Sequence, residues 1–526
     1  MKKQMKRIMN FRLMLVVVVG MIVSIILTAK FFVSQKLKLW IIIGSVIIFL
    51  IFLTCFALFK KKFLLIVAVT ILSIIIPIFS IYVKVNKYKQ NTFENVEYYN
   101  ISAKIYNYTL NLKENKIYLS LENVNISDGV KTKKLIGNMF MCISSNNIDV
   151  SKIENGRCIN AKAEKDYITF YDGTEGNERS LSSLSRRVSA SCYVYSDNFS
   201  FSDKVSKSFR DIIKNTIYGI FEKTDLFFTG TGYAMLFGDS TILDENVKGV
   251  FSDSGTAHLL AVSGFHVSII VAFLAFIFDK LRINKYAKLA FMSIILGFYA
   301  YICAFSVSMI RASVMALIAI YAANRNKEYD GLSSLSLAAV IILLINPLDL
   351  FNLSFIFSFV SVLSIILLMP LFNRALSKIF YSKLSSALSL NFAITSGITI
   401  FQLYYFGEMP ILCFLSNFVT VPIVSILFLY LIVSCLVGLV INPIAVPLIN
   451  GFGLAMKYIL KFNYWITGLG FYITVSNVSV WALYLSLILM FIVSDYVFLK
   501  KETKWIICLL ISAVILKLML FWFKMD

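Results

Sequence analysis

Long apolar runs, separated by short basic loops, constrain this chain more than any other feature. They lie at roughly 11–33, 38–59 and 63–84 and then, beyond a polar insertion, at roughly 256–279, 286–305, 306–324, 332–346, 350–371, 384–406, 411–440, 443–472, 478–498 and 503–525. The hydrocarbon core of a bilayer takes about 20 apolar residues of helix, so runs of this kind read as spans. With 59% hydrophobic and 15% charged residues, the composition excludes an ordinary soluble domain. The fold class expected is a polytopic α-helical membrane protein with about 11 to 13 transmembrane helices. The first run follows Lys2, Lys3, Lys6 and Arg7 but is longer than a signal-peptide core and lacks a small-residue cleavage site, which makes it a retained anchor.

The net charge of +21 would point to nucleic acid in a soluble protein, but much of it here sits in loops between spans, where it sets topology. Placing the basic N-terminus and the triplet Lys60, Lys61 and Lys62 on the cytoplasmic face puts the segment after Lys84 outside the cell. The loops Lys280 to Lys288, Arg325 to Lys327, Arg374 to Lys383 and Lys500 to Lys504 are basic, whereas NPLDLFN and FGEMP between them are not. That alternation agrees with positive-inside orientation. The stretch 411–472, with Asn417, Pro422, Pro443, Pro447 and several glycines, is the place to expect broken or re-entrant helices.

Four regions follow: 1–84 as three N-terminal transmembrane helices, 85–215 as an extracellular β domain, 216–255 as an amphipathic interfacial linker, and 256–526 as a transmembrane bundle. In the β domain, ISAKIYNYTLN, KIYLSLENVNI, NMFMCISS, CINAKAE and ASCYVYS alternate apolar with polar residues between Asn, Asp and Gly turns. Five or six short strands suit an OB-like barrel, and the same pattern fits other small barrels and sandwiches. Cys142, Cys158 and Cys192 fall here without zinc-ligand spacing, and their odd count leaves disulfide pairing open. Tyr106, Tyr108, Tyr118, Tyr167, Phe170, Tyr171, Tyr193 and Tyr195 are interleaved with Lys104, Lys113, Lys116, Lys131, Lys133, Lys134, Arg186 and Arg187. Such a mixture can stack on single strands, although tyrosines on strands also fill cores.

The two histidines of the chain, His258 and His266, both fall in HLLAVSGFHV. Ionisable groups in a span are costly and face a bundle interior or an aqueous path. On an unbroken helix the eight-residue spacing separates them by roughly 12 Å along the axis and 80° around it, which excludes a shared metal ion. Ser263 and His266 stand at i, i+3, and a Ser-His pair can in principle act as nucleophile and base, as in an intramembrane hydrolase, but a neighbouring pair on one helix lacks room for an in-line carbonyl and no GxSxG motif accompanies them. Under a packing reading, Ser263 and Gly264 permit close helix approach and the histidines hydrogen-bond within the bundle. Arg311, Gln402 and Asn417 are further polar groups in apolar surroundings, and Arg311 is placed either to meet phosphate or to snorkel to headgroups.

The segment DSGTAHLLAVSGFHVSII resembles the central signature of the ComEC family of competence proteins through His258, Leu260, Ala261, Ser263, Gly264, His266 and Val267. Leu236, Gly238 and Asp239 resemble that family's upstream turn, Arg311 and Ala312 its Arg-Ala helix, the run around Ser354 its Leu-Ser-Phe segment, and Phe406, Gly407, Asn417 and Pro422 its Phe-Gly loop and Asn-x-x-x-x-Pro segment. The resemblance implies a cytoplasmic-membrane channel that imports single-stranded DNA during natural transformation, its path formed by His258, Ser263, Gly264, His266, Arg311 and Asn417. It further implies a cytoplasmic helicase-like ATPase and an outer DNA receptor as partners, and leaves open a separate nuclease and a homo-oligomer. No catalytic residue, metal or cofactor is assigned. The HxHxDH cluster of the metallo-β-lactamase-like domain carried by many members does not occur in this sequence, so nuclease activity is not expected. Ile400 and Phe401 stand where the family often has proline, which places a helix break there in question. The rival readings are the hydrolase and a small-molecule transporter.

Overall fold

The computed structural model describes residues 13–30, 62–91, 96–111, 116–127, 131–144, 153–171, 178–195, 198–240, 242–475, 478–497 and 501–520. The apolar run at 38–59, with Lys60 and Lys61, lies outside the described residues. Helices α1 (Leu13–Lys30) and α2 (Lys62–Lys89) pack on each other, and α2 leads into the β domain.

The described residues of the domain hold eight strands rather than five or six: β1 (Tyr98–Asn111), β2 (Lys116–Ser127), β3 (Thr132–Lys134), β4 (Asn138–Ser144), β5 (Arg157–Glu164), β6 (Ile168–Phe170), β7 (Val188–Tyr195) and β8 (Phe199–Val205). Helix α3 (Glu178–Ser185) precedes β7. The sheet order is β6-β7-β4-β2-β1-β5-β8, with β3 on β2 and a single parallel pairing, β4 with β7. Strand β2 shows why the chain takes this form: its burial alternates residue by residue until Asn123, which adopts φ +52° and bulges the strand before alternation resumes at Val124. Ile105, Leu119, Leu121, Met141 and Ile159 close the interior. Cys142, Cys158 and Cys192 are not in disulfides. Burial pushes the Cys192 thiol up to about 12, and its Sγ lies 3.7 Å from Met139 Sδ, so it serves as core filling.

Beyond β8 the chain forms α4 (Phe209–Phe221), α5 (Leu226–Phe237) and α6 (Glu245–Asp253). Ser208 caps α4 in a reciprocal box with Asp211. Residues expected to lie at an interface are woven into the bundle: Phe221, Tyr233, Met235 and Phe251 share one core with Phe428 and Phe452 of later helices.

Each of the ten later runs holds one helix: α7 (Gly264–Lys280), α8 (Lys285–Ile302), α9 (Val307–Asn324), α10 (Gly331–Ile345), α11 (Leu353–Leu376), α12 (Ser382–Phe406), α13 (Cys413–Val440), α14 (Asn442–Thr467), α15 (Val480–Val493) and α16 (Lys501–Leu520). Among the described residues, six helices are long and apolar enough to cross a membrane, namely Ile71–Lys89, Val307–Asn324, Leu353–Leu376, Ser382–Phe406, Cys413–Val440 and Pro443–Thr467. Helix α12 runs unbroken through Ile400 and Phe401, where a break was in question, and α13 runs unbroken through Pro422, where one was expected; Pro443 sits in the first turn of α14, where its missing N–H is no loss.

The β-domain end of the bundle is fixed by Lys84, whose Nζ donates to Ile345 O and Asn346 Oδ1 at 2.8 Å each, and by Asn346 Nδ2, which donates to Ser185 O. Short connections make successive helices alternate in direction, so the N-termini of α9, α11 and α13 and the C-termini of α12 and α14 meet at that same end. A ribbon of β9 (Glu408–Pro410) and β10 (Tyr472–Thr474) joins the last two.

Candidate functional site

His258 and His266 do not share a helix, which corrects the straight-helix geometry expected for them. Residues Ala257–Leu259 form a single 3-10 turn carrying His258, and α7 starts only at Gly264. Gly255 lies against Cys413 at the head of α13, whereas the His266 ring stands 4.5 Å from that of Phe428, the middle of the same helix. At a rise of 1.5 Å per residue these two levels are about 22 Å apart. The motif therefore descends into the bundle as irregular backbone. At such depth a chain without helical hydrogen bonds is tolerated only where it is buried in protein or lines water. Ala257, His258 and Ala261 are exposed along this segment, whereas Leu259 and Val262 are buried.

At the foot of the descent, Ser263 caps α7. Its backbone N–H donates to His266 Nδ1 at 3.1 Å, with Ser263 Oγ 3.2 Å from the same nitrogen. His266 thus takes the place of the Glu or Gln of a capping box. With Nδ1 accepting, the proton of the neutral ring is on Nε2, which is buried without a hydrogen-bond partner among the described residues. Among the described residues no carboxylate hydrogen-bonds the ring, the contact that orients the base of a hydrolytic triad. Among the described residues no three His, Cys, Asp or Glu gather as a metal cage.

Gly264 lies against Arg311: a Cβ here would meet the guanidinium, which would have to shift to admit it. Arg311 does not snorkel; at 6% exposure it is held inside, Nη1 donating to Ser358 O, its guanidinium 6.0 Å from the Phe359 ring centre and Nε without a partner. No ion pair joins it to a carboxylate among the described residues. A buried cation in that state is costly unless an anion joins it.

Asn417 lies on the first turns of α13 with Oδ1 buried and unpaired, and Gln402 Oε1 on α12 is in the same condition. Beside Asn417 is a residue that sequence reasoning passed over. Asn463 of α14 is fully buried; its Oδ1 accepts from Ser416 Oγ at 2.7 Å and Thr420 Oγ1 at 3.2 Å, and its Nδ2 donates to Thr256 Oγ1 at 3.3 Å. One amide thereby ties α13 and α14 to the start of the descending segment. The available signal was an uncharged amide, Asn463, near the end of an apolar run.

The remaining motif residues shape this end. Gly238 ends α5 at φ +66°, a left-handed cap that suits glycine, and Asp239 beside it forms a buried ion pair with Lys214 of α4 at 2.7 Å. Asn352 Oδ1 accepts from Ser354 N, capping α11, and Ser354 O accepts from Ser308 of α9. Phe406 stacks on Phe357 and Gly407 at φ +75° turns the chain into β9, while Pro422 lies within α13. The structure thus brings Ser263, Gly264, His266 and Arg311 together, while Asn417 follows Ser416 of the Asn463 network without joining its hydrogen bonds.

A family model described as Competence protein matches residues 235–501. The chain is 26% identical over 194 residues to ComE operon protein 3 of Bacillus subtilis, covering 37% of this chain and 24% of that protein. It is 27% identical over 215 residues to Recombination protein 2 of Haemophilus influenzae, covering 38% of this chain and 27% of that one. The matched part spans about a quarter of each curated relative's length. No solved structure matches the chain.

Proposed function

Because the chain belongs to the Competence protein family, we propose that it conducts single-stranded DNA inward across the cytoplasmic membrane during natural transformation, entering at the β-domain end. The observation that carries this reading is the descent of Gly255 to Ser263 as irregular, partly exposed backbone into the bundle. Its foot meets the buried, unpaired Arg311. Helix α7 starts at this foot, and its N-terminal dipole favours a phosphate there.

In this reading the N-terminus is cytoplasmic and the β domain extracellular. An OB-like barrel is supported by the order β7-β4-β2-β1-β5, the parallel β4–β7 pairing and the proximity of β5 to β7. Its outer face carries Tyr118 stacked on Phe140 and a cluster of Tyr167, Tyr193 and Tyr195, rings on which bases stack for about 1–3 kcal/mol each. Moving each phosphate charge inward against a negative-inside potential costs about 2.3 kcal/mol per 100 mV. The sequence contains no GxxxxGK[ST] loop, so a helicase-like ATPase supplies the work, with an outer receptor delivering DNA and a separate nuclease producing single strands.

The test is chromosomal replacement by Arg311→Gln, scored by uptake of labelled DNA and by transformants. We expect at least a hundredfold loss with the protein still present in the membrane; unchanged uptake would overturn the reading.

A further inference from the structure

On the face of the β domain that belongs to β2, β1, β5 and β8, away from the tyrosine cluster, lies an open groove of about 530 Å³. The strand register builds it. Asn125, Ser102, Asn160 and Ser200 stand side by side as one rung across four strands, and Asn100 and Lys162 pair in the next. No carboxylate lines the groove. Beyond it the same face returns to ordinary charge with the Lys104–Glu122 ion pair.

The chemistry of the lining selects its ligand. The side chains of Asn100, Ser102, Asn125, Asn160 and Ser200 make no hydrogen bonds among the described residues, which leaves amides and hydroxyls, each both donor and acceptor, turned outward. Of the lining residues only Lys162 is a cation, its Nζ 4.2 Å over the Tyr98 ring, and Lys134 stands at the edge as the β3 neighbour of Asn125, so the floor of the groove presents amides and hydroxyls rather than the row of charges with which a protein tracks a phosphate backbone. Phe199 contributes an aromatic edge. Neighbouring residues within a rung stand one strand spacing, about 4.8 Å, apart, close to the length of one sugar of a β-1,4-linked chain.

We propose that this groove binds a neutral, hydroxyl-rich glycan strand, independently of the DNA path. The test uses the full chain in lipid nanodiscs, which avoids glycoside detergents, and N-acetylchitotetraose as probe, followed by saturation-transfer NMR and calorimetry. We expect millimolar or tighter binding, weakened at least tenfold by Asn100→Ala with Asn160→Ala and unaffected by Tyr195→Ala on the other face. Asn100 and Asn160 are exposed, so the paired variant keeps the fold. Two results overturn the proposal: no saturation transfer to the sugar at millimolar concentration, or displacement of the sugar by oligothymidylate with the same sensitivity to the asparagine pair.

Discussion

His266 shows how one residue can look catalytic and be architectural. It stands within hydrogen-bond distance of a serine hydroxyl, yet its Nδ1 accepts from the Ser263 backbone and its Nε2 faces no carboxylate. Since Gln also closes a capping box, His266→Gln should stay within about 1 kcal/mol of the parent, whereas His266→Leu should cost about 0.5–2 kcal/mol through the lost acceptor. Thermal unfolding in micelles measures both, and transformation by the Gln variant separates the roles, because a hydrolase would be inactive with either change. Gly264→Ala acts on Arg311 instead. The added methyl occupies the seat of the guanidinium, so DNA uptake should fall as far as in Arg311→Gln. Uptake at the parental level would show that the cation can move aside without consequence.

At the scale of elements, the apolar runs located the helices because a span must be continuously apolar for about 20 residues, and that signal needs no neighbours. The segment ahead of α7 defeated the same logic. HLLAVSGFHV is apolar enough to be helix, but Asn463 on α14 and Cys413 on α13 hold its upper part at the head of α13 while Ser263 restarts the helix below. Likewise Pro422 looked like a break in sequence and is accommodated in a continuous helix, since neighbouring helices can compensate a lost backbone bond. The β9–β10 ribbon is three residues a side, too short for any period to announce it. Asn463→Leu removes the shared partner of Ser416, Thr420 and Thr256, and should cost about 1–3 kcal/mol, read by denaturant unfolding in micelles. A variant as stable as the parent would show that these hydroxyls find other partners.

Over the whole molecule, the β domain is joined to the bundle both by an apolar seam, in which Leu181 and Leu184 of α3 share a core with Leu343, Leu348 and Phe355, and by polar groups. Arg210 at the start of α4 donates to Tyr106 of β1 and lies over its ring, and Lys214 one turn later reaches Asp239 inside the bundle. Removing one member of a buried pair strands the other charge. Lys214→Met should therefore destabilise by about 3–5 kcal/mol, while Lys214→Met combined with Asp239→Leu should recover most of it. Unfolding midpoints of the parent, single and double variants give the comparison, and a double variant no better than the single would mean that the pair is not the coupling element.

The sequence by itself determined that the chain is a membrane protein, which runs become helices, that a strand-rich insertion interrupts them, and which motif deserved scrutiny. Hydrophobic period and run length are local properties, written in neighbouring residues. Only the tertiary structure decided that the histidine motif descends as irregular backbone, that Arg311 is buried against Gly264, and that Asn463 and the Lys214–Asp239 pair hold this end together. Those facts rest on contacts between residues distant in sequence, for which a single chain read in order carries no periodic trace.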